Sequence, residues 1–164
     1  MCLSTIINQM EHLHQLHQSL LNHSIEKTAA LKKNDITALQ SLMAKERKHI
    51  QAIDKIEKQR METVKVFFAE HNINDEEPTV SKMLEVLDDS EEKNQLQFLF
   101  EQMIYVLSDL RQQEQLNAEL TQQSMQFVQL SMDMLQPQMK NLNYTNTNAS
   151  TPSAEKRSVF DSKA

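Results

Sequence analysis

Apolar residues recur at alternating steps of three and four along the first part of the chain, as at Ile6 and Met10. This spacing puts them on one face of an amphipathic helix and predicts a heptad seam over residues 3–32. Two polar residues, His17 and Ser24, interrupt that seam. The first predicted element is therefore a long helix that needs a partner helix along its apolar face.

A second helix is predicted over residues 36–71, because the same spacing resumes after the link 32–35. Lys32 and Lys33 suit the negative end of the first helix, and Asp35 is a favourable N-cap for the second. So short a link forces the two helices to run antiparallel. Three charged residues occupy seam positions of the second helix, where they either set the register of the pair or are simply exposed, or else make a polar contact with a partner. These residues are Glu46, Glu57 and Arg60.

The clearest internal break is the polar stretch 71–79, which contains Pro78. A short amphipathic helix over 80–87 follows it, and then a long helix over 91–136, which we expect to end where Pro137 removes a backbone N–H. At 1.5 Å per residue the last helix is about 70 Å long, against about 40 Å for the first. We therefore expect the end of the last helix to extend beyond its neighbours.

The remaining residues, 137–164, are rich in asparagine, serine and threonine and have almost no apolar periodicity. Such a segment cannot bury enough apolar surface to offset the entropy lost on ordering, so we expect a disordered tail. The predicted fold is all-α, an elongated antiparallel helical bundle or coiled coil of three long helices with a short helix before the last. The helical domain covers residues 1–136, and the flexible tail covers the rest.

Glycine is absent from the 164 residues, where average usage would supply about eleven. Because glycine usually provides positive φ and close approach to ligands, its absence excludes most phosphate-binding loops and nucleophile elbows. We therefore expect no enzymatic activity, no catalytic residues and no cofactor.

A histidine cluster near the start of the chain is the arrangement that most suggests a metal site. His12, His14 and His17 are two, three and five residues apart, whereas two imidazoles on one helix face bind a metal best at a spacing of four. Cys2 is the only cysteine, so no intramolecular disulfide can form. We expect no metal site and interpret the histidines, including His23, as solvated side chains.

The formal net charge is −6, and residues 79–136 carry ten acidic but only three basic side chains. Phosphate would be repelled from that part of the chain, so we expect no nucleic-acid partner. No apolar stretch approaches the 18 or so residues of a membrane span, and the first residues lack the basic and apolar regions of a signal peptide. We expect a cytoplasmic protein without stable membrane insertion.

The stretch 96–135 carries more apolar residues than one helix face can hold. Its first part, LQFLFEQMIYVLSDL, has apolar side chains on more than one face, whereas one antiparallel helix covers only one. Methionine and the eleven glutamines between Gln95 and Gln136 supply adaptable side chains, typical of surfaces that fit several partners. From the residues alone, these side chains either pack internally against the first two helices or stay exposed for a partner.

With these features the chain resembles the FlgN-type flagellar export chaperones, which are small, acidic, helical cytoplasmic proteins. The resemblance rests on the first heptad helix, the block AKERKHIQAIDKIEKQR (44–60), the glutamine-rich last helix and the tail ending KRSVFDSKA, and it covers nearly the whole length. Family members bind the C-terminal helices of hook-filament junction proteins, prevent their premature assembly and deliver them to the type III export gate. The resemblance implies that this chain does the same.

By this resemblance the stretch 96–135 holds the client helix, because a client that assembles through apolar seams needs those seams covered before export. In relatives a tyrosine just past the last helix contacts the export gate. Tyr144 is the matching residue here, although Thr145 follows it where some relatives have glycine. The residues expected to bind the client are Leu96, Leu99, Phe100, Met103, Leu107, Leu110, Leu120, Phe127 and Val128.

The alternative hypothesis is a structural coiled-coil protein, a scaffold in which the same apolar seams serve self-association. An exposed apolar helix end is also compatible with a weak homodimer of the chaperone. The two hypotheses differ in the partner that covers the seams.

Overall fold

The computed structural model describes residues 2–73 and 78–146. Within them the chain forms four helices and no strand: α1 (Cys2–Lys33), α2 (Ile36–Glu70), α3 (Val80–Val86) and α4 (Glu91–Asn146). The predicted all-α fold, with three long helices and a short one before the last, is confirmed. The chain divides into two compact units, Met1–Gln122 and Gln123–Ala164, and each is described by itself.

The turn between α1 and α2 is made without glycine. Asn34 adopts the left-handed conformation with φ 54°, which asparagine tolerates better than most residues. Asp35 then caps α2, since its side chain accepts a hydrogen bond of 2.9 Å from the backbone N–H of Ala38. Asn72, with φ 52°, has the same role just after α2. Asparagine therefore supplies the positive φ values that glycine usually provides.

The prediction that Pro137 ends the last helix is wrong, because α4 continues to Asn146. A proline inside a helix removes one hydrogen bond and costs about 3 kcal/mol. The methionines, leucine, glutamines and lysine within three residues of Pro137 are all strong helix formers, which favours continuation. Residues 137–146 of the predicted tail are therefore helical, and residues 147–164 lie outside the described part of the chain, as do residues 74–77 of the predicted break.

Hydrogen bonds between side chains give the directions of the long helices in the first unit. Gln9 on α1 donates to Thr63 on α2 at 3.1 Å, and Ser19 lies 2.9 Å from His49, so α1 and α2 are antiparallel. The side-chain amide of Gln95 donates to Glu11, and further along both helices Asn117 pairs with Ser24. Because both residue numbers rise together, α4 runs parallel to α1 and antiparallel to α2.

The apolar core lies at the end of this unit where α1 and α4 begin. Residues from the last turns of α2 and from the short helix α3 also contribute to this core. The core residues are Ile6, Ile7, Met10, Leu13, Val64, Phe67, Phe68, Val80, Met83, Leu96, Leu99 and Met103. Helix α3 thus covers an end of the bundle that would otherwise expose its apolar interior.

Candidate functional site

Three of the residues predicted to bind a client belong to the apolar core instead of the surface. Leu96 is fully buried, and Leu99 and Met103 are less than a tenth exposed. All three pack against α1 and the other core helices. In this conformation they hold the bundle together and offer no surface to a partner, because the heptad seam of α4 faces α1.

The other predicted client-binding residues range from half-buried to open. Phe100, Leu110 and Leu120 are half-buried, whereas Leu107 is 44% exposed. Phe127 and Val128 belong to the second unit and are exposed, Phe127 by 70%. The structure therefore separates the predicted set into core residues, half-buried residues and freely accessible ones.

Several exposed apolar residues of α4 were not among the predicted site residues. Phe98, Tyr105 and Leu116 are exposed on the first unit, and Met134 is exposed on the second. Within the first unit, steps of seven and eleven residues connect Phe98 to Tyr105 and Tyr105 to Leu116, and both steps return to nearly the same face of a helix of 3.6 residues per turn. Counting these steps along the sequence would have identified an apolar stripe distinct from the buried seam.

The described side chains of the second unit are exposed on almost every face of the helix. Val128 and Leu135 are seven residues apart, so they lie on nearly the same face of the helix, and both are exposed. The exposed large apolar residues of this segment are Met125, Phe127, Val128, Leu130, Met132, Met134 and Leu135. We call residues 125–135 the apolar segment. So large an uncovered apolar surface is typical of a site of protein association.

A half-buried lysine connects the three long helices at the end of the first unit opposite the core. Lys27 on α1 lies 2.7 Å from a carboxylate oxygen of Glu46 on α2 and 2.9 Å from Glu114 on α4. Burial by itself would lower the pKa of Lys27, but the contacts with Glu46 and Glu114 outweigh it, so the pKa lies above the ordinary value. Glu46 thus meets an internal partner and sets register, one of the alternatives left open by the sequence.

Next to this lysine, α1 and α4 are joined by hydrogen bonds where a coiled coil usually has apolar contacts. Asn117 is almost fully buried and donates to the backbone carbonyl of Ser24 at 2.9 Å, and its own carbonyl accepts from Thr28. The Ser24 hydroxyl donates to Glu114. Buried polar groups that pair this fully fix one alignment of two helices more strictly than apolar residues do.

A groove lies at the boundary between the core and the polar half of the first unit. It encloses about 350 Å³, with Leu13 among its α1 residues, Ile53 on α2, and Phe100 and Leu107 on α4. Val80 of α3 also lines it. Each of the four helices therefore contributes to one concave, mainly apolar surface, the kind of surface at which proteins bind ligands and partner segments.

The charged residues of this groove are paired with each other. Arg60 donates two hydrogen bonds to the Glu57 carboxylate, one of them 2.8 Å long. The Arg60 guanidinium holds the pKa of Glu57 below its ordinary value, against the effect of burial. His17, also in the groove, bonds through Nδ1 to the Leu13 carbonyl at 2.7 Å. Glu57 and Arg60 thus satisfy each other, and His17 already has a hydrogen bond within α1.

The expectation that the histidines are solvated is wrong for two of them. His17 lines the groove, and the half-buried His23 packs edge-on against His49 with ring centroids 4.9 Å apart. Antiparallel packing of α1 on α2 brings these rings together, which spacing within α1 does not reveal. Among the described residues, no group of three or more histidine, cysteine or acidic side chains could hold a metal ion. The Cys2 thiol donates a hydrogen bond to the Glu70 carboxylate, which raises the pKa of the thiol.

Tyr144, predicted to lie in a flexible tail, is in the last turns of α4. Its side-chain surroundings lie outside the described part of the structure.

None of the described helices is long and apolar enough to span a membrane.

Comparisons with known proteins agree with this architecture. The FlgN family, described as "FlgN protein", matches residues 1–151. The chain is also 37% identical over 167 residues to the uncharacterized protein YvyG of Bacillus subtilis (strain 168), and the alignment covers the whole of both chains. No solved structure gives a significant match. The resemblance inferred from the sequence is confirmed, and the chain belongs to the FlgN family of flagellar export chaperones.

Proposed function

We propose that this protein is a cytoplasmic chaperone of type III secretion that binds the C-terminal helices of flagellar hook-filament junction proteins. It keeps those helices from assembling before export and delivers them to the export gate. It acts by binding and release, without catalysis or a cofactor. Family membership supports the general role, and the exposed apolar segment 125–135 supports the binding of an apolar client helix.

The apolar segment is the observation that carries this proposal. It has seven large exposed apolar residues and only one charged side chain, Asp133. A helix that assembles through an apolar seam can pack the same seam against such a surface. While the client is bound its seam is covered, so it cannot join other copies of itself. In the first unit, the half-buried Phe100, Leu110 and Leu120 are a second part of the proposed client surface.

Replacing Phe127 with aspartate is expected to weaken client binding at least tenfold. An aromatic residue at the centre of an interface contributes more than about 1 kcal/mol, and a buried carboxylate without a partner adds a further cost. Val128→Asp should act in the same direction. The dissociation constant for a junction-protein C-terminal fragment, measured by titration calorimetry, tests the expectation.

Gln126→Asp is the matched control for this experiment. It adds the same charge to the same exposed segment but removes no apolar side chain, so we expect less than a threefold change in affinity. Equal affinities for the wild type, Phe127→Asp and Gln126→Asp would contradict the role assigned to the segment. A stable high-order oligomer in light scattering, dispersed by Phe127→Asp, would instead favour the self-associating scaffold.

Delivery is proposed to depend on Tyr144, which corresponds to the gate-binding tyrosine of the family. Tyr144→Ala is expected to leave client affinity within twofold of the wild type and to reduce export of the client severalfold. Tyr144→Phe keeps the ring and should preserve more export than alanine does. The two readouts are client affinity in vitro and the amount of junction protein in the culture medium. If Tyr144→Ala weakens client binding itself, the separation of binding from delivery is wrong.

A further inference from the structure

The groove at the centre of the first unit is mainly apolar and open to solvent. Its walls are α2 and α4, which run antiparallel, and α1 contributes Leu13 to its floor. Thr79, Val80 and Ser81, at the start of α3, line one end. We propose that this groove binds one amphipathic helix of the client through an uncharged apolar stripe, and that α2 supplies half of the site. The inference rests on the proposed chaperone function and extends its binding surface beyond α4.

Apolar side chains that internal packing leaves uncovered lie in the groove and beside it. On α4, Leu107 is 44% exposed and its neighbour Ile104 is also exposed. On α2, Ile50 is 48% exposed and lies one turn from Ile53, which lines the groove. Two antiparallel helices with exposed apolar side chains on either side of an apolar floor form the geometry in which an amphipathic helix binds.

The paired charges of the groove determine the chemistry of its occupant. Arg60 and Glu57 satisfy each other through two hydrogen bonds, and the Nδ1 atom of His17 is bonded to the Leu13 carbonyl. A charged side chain entering the groove would lose its hydration without gaining a free counter-charge, which is unfavourable. An apolar stripe incurs no such cost. The groove therefore favours a stripe of leucine, isoleucine, valine or alanine over one that contains lysine or glutamate.

The volume of the groove limits how much of a client helix it can hold. About 350 Å³ is at the lower end of the range of protein pockets. A helix inserts side chains at positions i, i+3 or i+4, and i+7 into such a space, one or two turns at a time. The rest of the client helix is then free to reach other surfaces of the chaperone.

The test measures binding of a fluorescent synthetic peptide of the junction protein's C-terminal helix by anisotropy. We expect Ile50→Asp and Leu107→Asp each to weaken binding at least tenfold, because each places a carboxylate against the bound apolar stripe. Val66→Asp is the control, since Val66 is also on α2 and is also 48% exposed, but it lies six residues beyond Arg60, whereas Ile50 lies three residues from the groove-lining Ile53. Its affinity should stay within twofold of the wild type. Circular dichroism checks that every variant keeps its helix content.

Each other outcome overturns the inference in a distinguishable way. If Ile50→Asp binds like Val66→Asp while Phe127→Asp still weakens binding, the groove is not the site but the chaperone function stands. If the wild type does not bind the peptide, the proposed function and the inference both fail. If the free protein is a dimer that Ile50→Asp dissociates, the occupant is a second copy. If removing residues 147–164 increases peptide affinity tenfold, the occupant is the chain's own end.

Discussion

Replacing Leu96 with alanine is expected to lower the free energy of unfolding by about 3 kcal/mol. Leu96 has no exposed surface and lies in the core cluster with residues of α1, α2 and α3. Removing its three outer carbon atoms loses apolar burial and leaves a cavity that the surrounding helices can fill only partly. Denaturant unfolding followed by circular dichroism measures the change.

Phe98→Ala is the appropriate comparison, because Phe98 is two residues away on the same helix and is 60% exposed. Its removal should change the free energy of unfolding by less than about 0.5 kcal/mol, as at most surface positions. The pair of variants also tests the assignment of Leu96 to the core. If Leu96→Ala kept full stability and only weakened client binding, Leu96 would be a contact residue and the burial described above would be wrong.

Removing the half-buried lysine should also destabilise the fold, by less than the loss of Leu96 does. Lys27→Ala is expected to cost about 1–2 kcal/mol, because it leaves Glu46 and Glu114 close to each other without the cation between them, while solvent screens the exposed part of Glu114. Removing one partner of a partly desolvated ion pair is more destabilising than replacing both partners, since the remaining charge keeps its desolvation cost. The measurement is again denaturant unfolding at neutral pH. Lys45→Ala is the control, because Lys45 is also on α2 and is exposed.

The pH dependence gives this prediction a second readout. The pKa of Lys27 is raised in the folded state, so its contribution to stability is fully present below the unfolded value of about 10.4. It is lost as the pH rises through the higher folded pKa. The difference in stability between the wild type and Lys27→Ala should therefore shrink above about pH 10.4. A difference that stays constant through that range would show that the lysine acts only by packing.

The helices could be predicted from the sequence because heptad spacing and asparagine or aspartate at the turns are local signals. The predicted bounds of the first three helices differ from the observed ones by a single residue at an end, as at Glu70, the last residue of α2. The predicted end at Pro137 is wrong because the helix-forming residues around the proline offset its free-energy cost within the helix. A penalty at one position does not end a helix when the positions around it favour continuation.

The candidate site was harder to predict, because the identity of an apolar residue on a helix does not determine which neighbouring element, if any, covers it. Leu96 and Phe127 are both large apolar residues of the predicted last helix, yet Leu96 is buried and Phe127 is 70% exposed. The difference depends on where α1 lies against α4, and that alignment is fixed by polar residues such as Asn117 and Ser24. Their partners are about 90 positions distant, so no local pattern reports them.

The parallel course of α1 and α4 has a consequence for synthesis of the chain. Residues 6–13 emerge from the ribosome about 90 positions before residues 96–103, which complete the core around them. At 5–20 residues per second, this leaves the apolar face of the early helices uncovered for about 5–18 s. During those seconds the α1–α2 hairpin is itself a nascent chain with an exposed hydrophobic surface. We propose that this protein shields the apolar helices of other proteins. During its own synthesis it thus needs the same protection for its early helices.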